Sequence, residues 1–259
     1  MNCRICGEGT TKAFTATILG HLSTDFHTCA GCGFLQTDPP HWLDEAYTDA
    51  VSAIDTGIMQ RNLRMANLTS LIIAQFFNPT ARFLDCAGGY GILVRLMRDL
   101  GFDFVWADRY CQNLIARGFE HHEGSTYELA SCFEAFEHFP DPMTEIEAIL
   151  SLAPNILFST LVLPQPVPGP SWWYYSLDHG QHVSFYAVRT LFHIAKRFGK
   201  HYATNGVDLH LFSDKRVNAH TFRALCKIAD DHPTFTLNGR LPSKTWDDHL
   251  TMRNTLRIF

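Results

Sequence analysis

From Ala81 to Phe212 short apolar runs alternate with amphipathic stretches, and this alternation constrains the fold more than any other feature of the chain. Ala81–Cys86 reads as a β-strand, Ala87-Gly88-Gly89-Tyr90-Gly91 as a turn, and Ile92–Leu100 as a helix stopped at Gly101. A second strand, Phe102–Ala107, closes on Asp108. The pattern continues with a helix near Cys111–Arg117, a strand at Tyr127–Phe133, a helix near Met143–Leu152 and a strand at Ile156–Leu163. A helix at Ala187–Phe198 follows, and then His201–Thr204 and Val207–Phe212 flank Asn205-Gly206, a strong hairpin signal. Strands separated by helices pair in parallel with helices on both faces. The expectation is therefore an α/β, doubly wound, mostly parallel sheet that finishes in an antiparallel hairpin.

The first 40 residues follow a different rule. Cys3-Arg-Ile-Cys6-Gly7 and Cys29-Ala-Gly-Cys32-Gly33 are two C-x-x-C-G units with 22 residues between Cys6 and Cys29. Each can turn so that both thiolates reach one ion, and four sulfurs complete a tetrahedron. Ala13–Thr28 has the β-branched content of a small hairpin with too little core of its own, so a metal would supply the missing stability. Cys3, Cys6, Cys29 and Cys32 are thus expected to hold a structural zinc, since a closed four-cysteine shell leaves no position for substrate. Iron is the other ion that a four-thiolate site takes. Cys86, Cys111, Cys132 and Cys226 read as small core hydrophobes.

The division expected is a zinc ribbon at 1–40, a linker and amphipathic helix (Met59–Phe77) at 41–80, the main domain at 81–213, and a helical extension at 214–259 that includes a helix over Lys244–Ile258. A net charge of −5 disfavours nucleic-acid partners; 13 basic and 21 acidic residues precede Asp214, against 8 and 5 from there on, which adds to the totals of 21 and 26. The start, MNCRICGEGTTK, has no apolar run behind a basic segment, so the chain is expected to be cytoplasmic. Thirty residues, Ala148–Leu177, carry no charge, but five prolines from Pro154 to Pro170 prevent a single spanning helix, and no membrane segment is expected.

The turn lacks the G-x-G-x-x-G spacing of dinucleotide sites. It reads instead Asp85-x-Ala87-x-Gly89-x-Gly91, with Asp108 following 23 residues after Asp85 at the end of the next strand. This resembles the first motif of class I S-adenosylmethionine-dependent methyltransferases, over roughly Asn62–Ser213, and the resemblance implies their Rossmann-like sheet of seven strands. The resemblance implies that Asp85, Ala87, Gly88, Gly89 and Gly91 lie against the methionine part of the cofactor. Asp108, with Arg109 beside it, would hold the ribose hydroxyls. Ala87 departs from the usual first glycine of the motif. Cys132-Phe-Glu-Ala-Phe-Glu-His-Phe-Pro-Asp-Pro142 looks like the family's segment after the fourth strand, with Phe133 beside the cofactor.

Between the Ile156 strand and the Ala187 helix runs a long loop that begins with alternating prolines and continues through Trp172, Trp173, Tyr174 and Tyr175 to Gln181-His182-Val-Ser-Phe185-Tyr186. It leaves the carboxyl end of a strand, where open α/β sheets bind ligands. Its last part is similar to the E-H-x-x-Y-F segment of bacterial nucleotide-sugar methyltransferases, which also carry an N-terminal cysteine module. That likeness implies His182 as general base, with Gln181 in place of the family glutamate. His138 and Tyr175 are the further catalytic candidates. The sequence thus leads to a methyltransferase acting on a small molecule of sugar or nucleotide-sugar type, by O- or C-methylation. Three alternatives accompany it: an RNA-base methyltransferase, a quinone-type O-methyltransferase holding a divalent ion at Glu134, Glu137 and His138, and a non-catalytic zinc-ribbon module.

Overall fold

The computed structural model describes residues 1–48, 55–232, 236–237 and 239–256, the side chain of Leu256 excepted. In chain order it contains β1 (Thr10–Ile18), β2 (Leu22–Cys29), β3 (Leu35–Thr37), α1 (Leu43–Ala46), α2 (Ile58–Phe76), β4 (Arg82–Cys86), α3 (Ile92–Asp99) and β5 (Asp103–Ala107). There follow β6 (Leu129–Cys132), α4 (Pro142–Leu152), β7 (Ile156–Ser159), β8 (Ser184–Phe185), α5 (Val188–Arg197), β9 (His201–Thr204), β10 (Leu209–Ser213), α6 (Ala219–Asp231) and α7 (Thr245–Leu256). The strands of the main sheet run in the order β5-β4-β6-β7-β10-β9.

The expected seventh strand is not formed among the described residues: beyond β5 there is a single parallel bridge, Trp106 to Glu120. The expected helix near Cys111–Arg117 is also absent. Its backbone donors are taken by nearer partners, since the Asp108 carboxylate accepts the N–H groups of Tyr110 and Cys111 at 2.7 and 2.8 Å, and Tyr90 O accepts those of Leu114 and Ile115. An aspartate that bonds the backbone this way competes directly with helix formation. The strand expected to reach Leu163 ends at Ser159. The helix expected over Lys244–Ile258 is α7; its last expected residues, Arg257 and Ile258, lie outside the described residues, as do 49–54 of the expected linker.

By compactness the chain divides into two units, Met1–Ala50 with Phe133–Ser151 and Phe158–Val217, and Val51–Cys132 with Leu152–Leu157 and Asn218–Phe259. This partition crosses the linear segments read from the sequence. In the second unit β4 pairs in parallel with β5 on one side and β6 on the other, so their carboxyl ends share one edge. Phe83 and Phe104 are fully buried and stacked at 5.2 Å, which fixes β4 against β5. α7 is tied to α3 by Asp248, whose carboxylate accepts two hydrogen bonds from the buried Arg98 guanidinium at 2.7 Å.

In the first unit β1 and β2 form the expected hairpin, and β3 and β8 extend it to a four-stranded sheet in the order β1-β2-β3-β8. β8 comes from the long loop, so the cysteine module is not folded from the first 40 residues alone. Phe26, Leu35, Tyr175 and Phe185 form its core. β9 and β10 are antiparallel, as expected, and the Asn205 side chain accepts the N–H groups of Val207, Asp208 and Leu209 at the turn.

Candidate active site and metal centre

The glycine turn lies at the carboxyl end of β4. Asp85, only 2% exposed, accepts the Ser131 hydroxyl from neighbouring β6 at 2.6 Å. Burial pushes its carboxyl up to about 7; the Ser131 bond opposes the rise and nearby Asp108 adds to it. Ala87 sits at φ 56°, in the left-handed region that the family's glycine adopts without strain. Trp106 of β5 donates from its indole N–H to Gly89 O at 2.8 Å and packs so closely that a Cβ on Gly88 would stand 2.6 Å from its ring. Above Gly89 the space is open, and a Cβ there would meet nothing within 4 Å. Gly91, at φ 86°, opens α3.

Asp108 closes the turn. Its Oδ2 accepts the Gly89 N–H at 2.9 Å while its Oδ1 accepts those of Tyr110 and Cys111. A carboxylate offers about four acceptor positions, so roughly one is left for a ligand. Arg109 and Tyr110 are exposed beside it, and Phe133 is partly buried just past β6. Trp106 and Ser131 are the supporting residues that sequence reasoning missed, and no motif marks either.

The four cysteines meet as their spacing implies. Cys3 and Cys32 sulfurs stand 3.5 Å apart, Cys6 and Cys29 sulfurs 3.4 Å, and all four lie within 4.8 Å of one another. Tetrahedral zinc thiolates have sulfurs about 3.8 Å apart, so the cluster fits such an ion. The two knuckles match in backbone, with Gly7 and Gly33 both at φ 79° and each donating its N–H to the carbonyl of the first cysteine of its unit, Cys3 or Cys29. The Cys32 thiol lowers Cys3 to about 5, against the opposing effect of burial, and is itself pushed up. Cys86, Cys132 and Cys226 are buried and Cys111 is partly buried; none joins the cluster.

The first unit also assembles a third group. Phe136, fully buried and stacked on Phe158 at 3.9 Å, anchors the short turn Phe136–His138 and carries Glu137 into the interior. His138 and His182 rings stand 4.8 Å apart, edge to face. His182 donates from Nδ1 to Tyr174 O at 2.7 Å, which fixes the tautomer and leaves Nε2 with its lone pair. His138 bonds through Nδ1 to the Tyr47 hydroxyl at 2.9 Å. Burial lowers His182 to about 4 and His138 well below the usual histidine range, so both rings are neutral near pH 7. Glu137 is raised to about 8, by burial first and by Glu134 second.

The ribbon sheet positions this group: Val183 donates its N–H to Glu137 O, Thr37 to Val183 O, and Leu35 and Gln36 of β3 pair with Phe185 and Ser184. Tyr175 is 1% exposed, and its hydroxyl donates to Pro168 O at 2.9 Å. Of the four aromatics of the loop, Tyr174 and Tyr175 are core, Trp172 packs on that core, and Trp173 is 74% exposed. Tyr47 is a partner that no sequence signal pointed to.

Among the described residues no helix is long and apolar enough to cross a membrane. No curated protein matches the sequence. Among solved structures, the fold is similar to TnmH (13% identity, 68% of this chain and 62% of that one, TM-score 0.46). It is also similar to magnesium protoporphyrin IX methyltransferase of Synechocystis PCC 6803 (14%, 66% and 90%, 0.39). Human N-acetylserotonin methyltransferase is a third such structure (17%, 68% and 66%, 0.44). The chain spans about three fifths of the length of TnmH. Residues 59–202, more than half of the chain, match the family described as the methyltransferase domain. They include the glycine turn, Asp108 and the segment of His138 and His182, and by this match the chain belongs to the methyltransferase-domain family.

Proposed function

We propose that this chain transfers a methyl group from S-adenosylmethionine to a hydroxyl of a small-molecule acceptor of sugar or nucleotide-sugar type. The observation that carries the cofactor assignment is the Asp108 carboxylate, held on the Gly89 N–H beside open space, in a chain of this family. Asp85, Ala87, Gly88, Gly89 and Gly91 form the cradle, and Asp108 with Arg109 completes it. When bound, the cofactor supplies an electrophilic methyl on a sulfonium. The chain's own residues bind and orient the reactants and take one proton. His182 is the base, because its Nδ1–H is committed to Tyr174 O and its Nε2 is free to accept. Positioning supplies most of the acceleration. His138, its ring nitrogen on Tyr47, and Tyr175, its hydroxyl on Pro168, serve as supports. Cys3, Cys6, Cys29 and Cys32 hold one structural zinc. Eight free cysteines suit a reducing compartment, in keeping with a cytoplasmic enzyme.

Calorimetry tests the cofactor assignment. S-adenosylmethionine and its demethylated product should both bind, and Asp108→Ala should weaken them at least about tenfold through loss of a charge-assisted hydrogen bond. Binding of NAD with no response to either sulfur nucleoside would overturn it. Elemental analysis tests the metal, with about one equivalent of zinc per chain expected.

A further inference from the structure

The first unit holds a cation whose place the proposed reaction leaves unexplained. Arg4 stands between Cys3 and Cys6 in the first knuckle. Its guanidinium donates through Nη1 to Pro140 O at 2.8 Å and through Nη2 to Thr37 O and Val183 O at 3.0 and 3.1 Å. Pro140 lies just past His138, and Val183 directly follows His182, so one fork holds both histidine-bearing segments against β3. The knuckle backbone is anchored to the same strand. The fully buried Gln36 accepts the Arg4 N–H at 2.8 Å and donates to Asn2 O at 3.0 Å. The Arg4 Nε is shut off from water without a partner, and among the described residues no carboxylate forms an ion pair with the guanidinium. A cation so placed is costly unless negative charge lies near it. The groups whose charge acts on Arg4 are Tyr186, Cys3 and Asp141, and Cys3 becomes a thiolate when it takes an ion. Four thiolates around one divalent ion leave an excess of negative charge on the cluster.

We propose that Arg4 is a positioning residue: its guanidinium clamps the turn of His138 and the segment of His182 into one arrangement, and the metal-bound cysteines supply its counter-charge. The inference rests on the reading of His182 as the base and of the four cysteines as a zinc site. The clamp consists of charge-assisted bonds, which are stronger than bonds between neutral groups. It also needs the planar fork, because a lysine ammonium is a point charge on a flexible stem. The first knuckle thus holds the histidine group through a side chain that is not itself a metal ligand.

Two variants of the full, zinc-loaded chain separate fork from charge: Arg4→Lys keeps the charge and loses the fork, and Arg4→Met loses both. Amide hydrogen exchange reads the fork at Val183 and Thr37, whose N–H groups donate to Glu137 O and Val183 O. Both variants should speed exchange at these two amides at least about tenfold and leave the amides of the β9–β10 hairpin within about twofold. The ring signals of His138 and His182 should move in both variants; NMR at one fixed pH in histidine-labelled protein follows them, with His138→Gln and His182→Gln to identify them. Competition with a zinc chelator reads the charge, and affinity for zinc should be at least about threefold lower in Arg4→Met than in Arg4→Lys. Exchange at Val183 and Thr37 that is unchanged, or that rises only in step with the hairpin, overturns the clamp. Equal zinc affinity in the two variants overturns the counter-charge. Should Arg4→Met not fold, Arg4→Gln takes its place, and Arg4→Lys decides the clamp alone. Absence of zinc from the wild type is read by elemental analysis and full turnover in His182→Ala by assay. Failure of either underlying reading is thereby told apart from failure of the clamp, which is read at Val183 and Thr37.

Discussion

The glycine turn and the Glu137-His138-His182 group each hold a buried carboxyl, Asp85 and Glu137, yet they are built in opposite ways. The turn comes from one stretch, 85–91, with Asp108 added from the adjacent strand, and is fixed by backbone hydrogen bonds such as Gly89 N–H to Asp108. The histidine group joins three segments, around Tyr47, around Glu137 and around Tyr174–His182, with 91 residues separating Tyr47 from His138. The first is secured by local geometry. The second depends on a scaffold, the four-cysteine sheet whose strand β3 pairs with β8 beside His182. A motif can therefore announce the turn, while the histidine group exists only once the ribbon has folded.

This contrast can be broken experimentally, and the largest effect expected is at His182. Replacing it by Ala should lower turnover on an identified acceptor by ~10²–10⁴ and leave cofactor affinity within about twofold. A parallel loss of affinity would show that the two regions are not separate in function.

Next in size is Cys29→Ser, for which zinc content should fall below half an equivalent and the melting temperature by roughly 5–10 °C. The histidine titrations should be perturbed while S-adenosylmethionine affinity moves less than about threefold. An unchanged His182 signal in that variant would remove the ribbon from the account of the histidine group.

The two regions also differ in their proton linkage. Asp85 in the folded chain is raised to about 7 and Glu137 to about 8, against unfolded values near 4. The folded state thus holds protons that the unfolded state has released, so stability falls as pH rises from about 4, and the loss is complete above the folded values. Asp85→Asn should abolish the part of this fall that ends near pH 7, on the order of a few kcal/mol, and leave the part that ends near 8. Denaturant melts at half-unit pH intervals measure it.

The smallest effect expected is at Ala87. Its φ of 56° is strained for an L residue, so Ala87→Gly should stabilise the turn by up to about 1 kcal/mol without touching the histidine titrations. A lower melting temperature would mean that the methyl group makes a contact worth more than the strain.

The sequence by itself determined the strands and helices around the turn and the pairing of the cysteine knuckles. In each case the signal is local: a two- or 3.6-residue period, a glycine needed for positive φ, two thiolates close enough along the chain to share an ion. The helix expected near Cys111 failed for a reason that is also local but was not weighed, the capture of two backbone N–H groups by Asp108. What only the tertiary structure decided is which side chains the long loop delivers, and to what. Trp172–Tyr175 look alike in sequence, yet two are core and Trp173 is exposed. Burial depends on packing against β1, β2 and β8, which no spacing encodes. The same is true of Glu137, whose ionisation is set by the water it has lost and by Glu134 nearby, quantities that exist only when distant segments come together.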